Sequence, residues 1–299
     1  IIGFWYWCTD QFIVQRVLSG RNMTHSRRGA ILGAGFKLLP VFIFLIPGMI
    51  AYALNAKGMI VLPDSDTAFA VLVKELLPIG FKGLVVGGIL AALMSSLASL
   101  FNSSATLFTV DFYEKFRPQA TERELVRVGR IATVVVVVLG ILWIPVMKGL
   151  GKFLYAYLQD VQSMLAPGIA AVFLLGILSK RVTPKAGLWG LLIGFVLGMT
   201  RLGFNILGKG VQGDGFFYSI FVGMNNYNYE VILFFVVIVL MIIISYFTPR
   251  ADPAAIKGLY VGSVSAEQKA LIKASYNNWD LFFSGLIIVV IISFYVYFW

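Results

Sequence analysis

Cysteine, histidine and charge are all scarce in this chain of 299 residues. Cys8 is the single cysteine, which excludes an internal disulfide. The single histidine, His25, falls in a basic loop. No HExxH, no CxxC and no Gly-rich phosphate loop occurs, and no nucleophile stands near a base, so an enzyme reading has no motif behind it. Charged residues make up 13% of the chain and hydrophobic ones 59%, whereas a soluble domain carries about 25% charged and roughly 45–50% apolar residues. The class that remains is an all-α polytopic membrane protein. A β-barrel is excluded because the apolar runs do not alternate. The net charge of +10 is scattered through loops between apolar runs, which excludes the single basic face of a nucleic-acid binder.

A spanning helix needs about 20 mostly apolar residues. Seven windows qualify: 29–54, 79–110, 131–147, 153–178, 186–207, 231–247 and 281–299. The 79–110 window exceeds one span and is expected to tilt or protrude. Residues 1 to about 18 form an eighth, truncated and more polar segment. The chain opens "IIGFWYWC", without Met and without a charged region before a cleavage site. It reads as the interior of a helix and not as a signal peptide, so a portion of a longer protein is expected.

Lys and Arg test this threading. The loops 16–28, 111–130, 179–185 and 248–280 hold 16 of the 24, and the alternate segments 55–82, 148–152 and 201–230 hold 7. The basic set is therefore expected in the cytoplasm, with the C-terminus outside.

Against this apolar background, residues 95–109, "SSLASLFNSSATLFT", carry seven Ser or Thr and Asn102 within a run free of charge and histidine. At about 100° per residue, Ser95, Ser96, Ser99, Asn102, Ser103, Thr106 and Thr109 share one stripe, and Ser104 lies opposite. Two readings stand side by side. Hydroxyls let spanning helices approach and return hydrogen bonds to their own backbone. A stripe of hydroxyls and carbonyls also suits a hard cation such as sodium, and Ala92, Ser95 and Ser96 occupy one turn at i, i+3 and i+4.

Other polar residues interrupt the membrane windows. Lys37 lies some eight residues into its window, roughly 12 Å along the helix, within partial reach of the interface. An intramembrane lysine is otherwise a functional residue. Gln159 and Asp160 precede Pro167 and Gly168, which are expected to interrupt their helix. Asp10 and Gln11 follow Trp5, Tyr6 and Trp7, and aromatic rings beside polar groups serve either as packing or as a sugar platform.

Four long stretches resemble the sodium/solute symporter family, in its sodium–glucose cotransporter branch. In order they are "WYWCTDQFIVQRVLSGRNM", "GFKLLPVFIFLIPGMIAYAL", "AALMSSLASLFNSSATLFTVDFYEKFRP" and "PGIAAVFLLGILSKRVTPKAG". The likeness runs from residue 1 to about 200 and more loosely to the end.

The resemblance implies a leucine-transporter-type fold of two inverted five-helix repeats. Residues 1–178 would be the second repeat, beginning inside its broken first helix, and 179–299 three peripheral helices of a single transmembrane domain. The first repeat would be absent from this chain, yet expected as its partner.

The family's sodium site maps onto the Ala92 carbonyl, Ser95 and Ser96, and its sugar contacts onto Lys37 and Gln159. Tyr6 maps onto the ring that closes the sugar pocket from inside, with Trp7 beside it. Two departures stand out: Gly3 replaces a polar sugar-contacting side chain, and Ala186-Gly187 reverses the usual order of the second signature. Ala98 replaces a hydroxyl of a second sodium site found in some relatives, although Ser99 is retained, which favours one sodium per sugar.

The implied activity is sodium-coupled uptake of a glucose- or galactose-like sugar across the plasma membrane by alternating access. Sodium is the coupling ion, the lipid bilayer is the medium, and no cofactor or nucleic acid is implied. The alternatives are another solute (myo-inositol, sialic acid, proline or an anion) or a transporter-like membrane sensor.

Overall fold

An apolar run in lipid must satisfy its own backbone, and a helix does so within one segment. The computed structural model describes residues 1–149, 153–207 and 215–298, and among the described residues every regular element is a helix. Among the described residues seven helices are long and apolar enough to cross a membrane: Met23–Ala56, Ile79–Phe116, Glu122–Met147, Leu154–Leu178, Pro184–Asn205, Asn226–Phe247 and Asn278–Tyr297. Each overlaps one window read from the sequence. The chain is an integral, all-α, polytopic membrane protein. Lys152 and Lys209, used in the loop comparison, lie outside the described residues.

The longer helices are α1 (Gln11–Leu18), α2 (Met23–Phe36), α3 (Ile46–Ala56), α4 (Ala68–Leu76), α5 (Ile79–Thr106) and α6 (Glu122–Gly149), followed by α7 (Leu154–Leu178), α8 (Pro184–Leu207), α9 (Asn226–Phe247), α10 (Ala266–Ala274) and α11 (Asn278–Phe298). They form two compact units, one of residues Ile1–Ile31 and Tyr155–Trp299, the other of Leu32–Leu154.

In the first unit, α8 packs against α7 and α9 through bare backbone. Gly190, Gly194 and Gly198 recur every fourth residue, so they line one face of α8. A methyl group on Gly194 would come within 2.8 Å of the Gly168 Cα on α7, and one on Gly198 would overlap the Met164 carbonyl. On the α9 side, Gly190 faces Met241 and Gly194 faces Val237. Close approach of this kind replaces the hydrophobic drive that lipid removes. Ala171, Ala186, Leu233, Val237 and Met241 are buried around the crossing.

This packing corrects one expectation. Pro167 lies inside a continuous α7 and does not break it. Proline does remove one backbone donor. Yet Ser163, Met164, Ala166, Pro167, Gly168 and Ala170 are all buried, so packing around them keeps the segment helical.

In the second unit, α5 and α6 lie side by side. The long window forms one unbroken helical run, Ile79–Phe116. Past Thr106 the chain continues as a π-helical segment, Leu107–Tyr113, and reaches Phe116. Ala51, Ile60 and Leu72 form a smaller core between α3, α4 and their connection.

Candidate functional site

The first eighteen residues place the aromatic cluster at a helix break. Trp5–Thr9 form one π-helical turn, closed by the Asp10 N–H donating to the Trp5 carbonyl at 3.1 Å. Asp10 itself is extended, at φ −73° and ψ 118°, and its carboxylate accepts from the Phe12 N–H at 3.2 Å to start α1. The break thus comes from an acidic N-cap, as short polar side chains favour. Tyr6 is half-buried and edge-on to Trp7 and Phe12, with ring centroids 5.6 and 6.1 Å away. Trp7 is exposed. Gln159 belongs to the same unit, on α7, where its amide donates to the Tyr155 hydroxyl at 3.3 Å.

Lys37 belongs to the second unit and also marks a break. Lys37 and Leu38 form a turn after α2, and Pro40 follows. Pro40 has no N–H to return to the Phe36 carbonyl, and α2 ends at Phe36. Helical backbone resumes at Leu39 and runs into the π-helical turn Val41–Leu45. Because α2 begins at Met23, the lysine lies more turns from the helix start than the 29–54 window implied.

The hydroxyl stripe divides along its length. Ala92, Ser95, Ser96 and Asn102 on α5 are exposed. The hydroxyls of Ser99 and Ser103 donate back to the carbonyls of Ser95 and Ser99, at 3.1 and 2.9 Å. Ser103 and Thr109 are buried, and the Thr109 hydroxyl lies against Gly129 of α6. Packing therefore takes Ser103 and Thr109, while the turn at Ala92, Ser95 and Ser96 stays uncovered within its unit. Thr106 is exposed and donates to the Asn102 carbonyl at 2.8 Å, so it serves its own backbone and not a neighbour. Among the described residues no cluster of His, Cys, Asp or Glu suits a metal ion. A cation on this turn would meet neutral oxygens, one carbonyl and two hydroxyls, the hard-donor type that alkali ions accept.

One polar centre escaped the sequence reading. Arg201, on α8, is 1% exposed. Its Nη1 donates to the Ile220 carbonyl at 2.5 Å and its Nη2 to the Met224 carbonyl at 2.5 Å. Both carbonyls lie at the π-helical turn Ser219–Gly223, before α9. Nε and Nη2 also donate to the Asn226 Oδ1. The Asn226 amide donates in turn to the Asp160 carboxylate, one residue from Gln159. The guanidinium carbon lies 4.2 Å from the centre of the Tyr229 ring, whose hydroxyl donates to the Leu197 carbonyl. A buried arginine is stable only with such a full set of acceptors. The signal in the sequence was Arg201 itself, a charge near the end of an apolar window.

Comparison with known proteins follows the same stretches. The model of the sodium:solute symporter family matches residues 2–194. The sodium/glucose cotransporter 1 of Ovis aries is 40% identical over 273 residues, covering 84% of this chain and 40% of that protein. A sodium/mannose cotransporter of Bos taurus is 46% identical over 216 residues, 68% of this chain and 36% of that protein. The sodium/myo-inositol cotransporter 2 of Homo sapiens is 42% identical over 221 residues, 68% of this chain and 32% of that protein. The chain spans about 40% of the length of the first of these relatives.

Proposed function

Because the chain belongs to the sodium:solute symporter family, we propose that it is the C-terminal portion of a sodium-driven sugar carrier. Its substrate class is a cyclic polyhydroxylated ring, since the relatives are named for glucose, mannose and myo-inositol. Residues 1–178 act as the second repeat of a leucine-transporter-type fold, and 179–299 as peripheral helices. The first repeat, outside this chain, completes the sites. The carrier works in the plasma membrane with its C-terminus outside, as the Lys and Arg distribution favours.

Sodium is cargo here and rides with the sugar. The Ala92 carbonyl and the Ser95 and Ser96 hydroxyls supply three of its oxygens. Lys37 donates to sugar hydroxyls, Gln159 donates and accepts, and Tyr6 with Trp7 closes the pocket from the inside. Sodium stabilises an outward-open state, sugar binds between broken helices, and movement of Tyr6 releases it inward. By linkage, sodium and sugar strengthen each other's binding by the same factor.

The single observation that carries this reading is the exposed turn at Ala92, Ser95 and Ser96, on the same stripe whose Ser103 and Thr109 are buried. The test is uptake of labelled sugar into proteoliposomes by the whole carrier. Uptake is expected to need sodium, and Ser96→Ala to abolish that need or the uptake itself. Sugar uptake indifferent to both would overturn the assignment.

A further inference from the structure

At the start of α6, three arginines share one hollow with a single carboxylate, Glu122. Glu122, Arg123, Val126, Arg127 and Arg130 line a hollow of about 410 Å³. Arg123, Arg127 and Arg130 are exposed, and among the described residues none of the three is in an ion pair. The nearby Glu124 is already engaged, accepting from the Tyr113 hydroxyl at 2.5 Å and from Arg117 at 3.4 Å. Glu122 sits about 100° around the helix from Arg123 and leaves the arginine face positive.

The stripe continues into the membrane. At about 100° per residue, Arg123, Arg127, Arg130, Val134, Val138 and Ile141 all fall within about 80° of one another. Val134, Val138 and Ile141 are exposed as well. From Arg130 to Ile141 the helix rises about 16 Å, close to one leaflet's share of a roughly 30 Å hydrocarbon core. An anionic head at one end of the stripe and an apolar tail along the rest match both parts of the surface. Guanidinium groups bind phosphate oxygens in pairs, which suits them to a headgroup over a single ammonium.

We infer that this stripe is a binding site for an anionic phospholipid, its phosphate held by Arg123, Arg127 and Arg130 and an acyl chain lying along Val134, Val138 and Ile141. In the proposed threading this end of α6 is cytoplasmic, the leaflet in which anionic lipids are concentrated. The site is separate from the sodium and sugar residues, so it stands whether or not those assignments do.

The test is native mass spectrometry of the purified protein titrated with phosphatidylserine or with phosphatidylcholine. Retention of phosphatidylserine over phosphatidylcholine is expected, with R123Q/R127Q/R130Q weakening it about 100-fold and Arg127→Gln alone about 5-fold. Arg117→Gln, off the stripe and paired with Glu124, is expected to leave retention unchanged. Inorganic phosphate is expected to compete poorly, since it lacks the tail. Equal retention of both lipids, or a triple variant that is folded and binds as before, would overturn the site. So would full displacement by phosphate or by an acidic peptide, because either would make the apolar half irrelevant.

Discussion

Arg201 meets the amide oxygen of Asn226 with two of its nitrogens, Nε at 3.2 Å and Nη2 at 2.7 Å. The amide's orientation is fixed from both sides, because its nitrogen donates to Asp160. Asn226 thus ties α8 and α9 to α7 at the end that carries Gln159.

Removing Asn226 takes one acceptor from a buried guanidinium that keeps two carbonyls. Asn226→Leu is expected to destabilise the protein by about 2–3 kcal/mol, the worth of a hydrogen bond to a charged group. Adding Arg201→Met to that variant should recover most of the loss, because the charge leaves with its partner. Thermal melting in detergent reads both, and a double variant no better than the single one would count against the account.

The glycine face of α8 makes a contrast within one helix. Gly198→Ala should force α8 from the Met164 carbonyl and cost roughly 1–3 kcal/mol. Gly203→Ala meets nothing within 4 Å and should be neutral or slightly stabilising. Paired melting curves separate them.

Thr109 is 7% exposed, and among the described residues its hydroxyl has no hydrogen-bond partner. An unsatisfied buried hydroxyl costs about 1–3 kcal/mol. Thr109→Val keeps the shape against Gly129 and is expected to raise the melting temperature. A lowered one would mean that the hydroxyl is satisfied in the folded protein.

Lys37 separates a substrate role from reach toward the interface. On the proposed reading, Lys37→Ala raises the sugar concentration for half-maximal uptake by roughly 10- to 100-fold, the worth of a charge-assisted hydrogen bond. Gln159→Ala should act in the same direction. Unchanged uptake in Lys37→Ala would return the lysine to snorkelling.

Membrane class and all seven spans were legible from the sequence, because twenty apolar residues have no other stable form in lipid. The sorted lysines and arginines and the one-sided hydroxyl stripe were legible for the same reason, since both follow from helix period and membrane cost alone. Three features depended on the tertiary structure. Pro167 stays inside a helix because α7 is buried around it. The hydroxyl stripe divides because Ser103 and Thr109 are buried, Thr109 against Gly129 of α6, while Ser95 and Ser96 are exposed. Arg201 is tolerated because carbonyls and an amide from elsewhere in the chain converge on it. Local periodicity sets which face is polar. Which part of that face is buried is decided by the neighbours that folding brings against it.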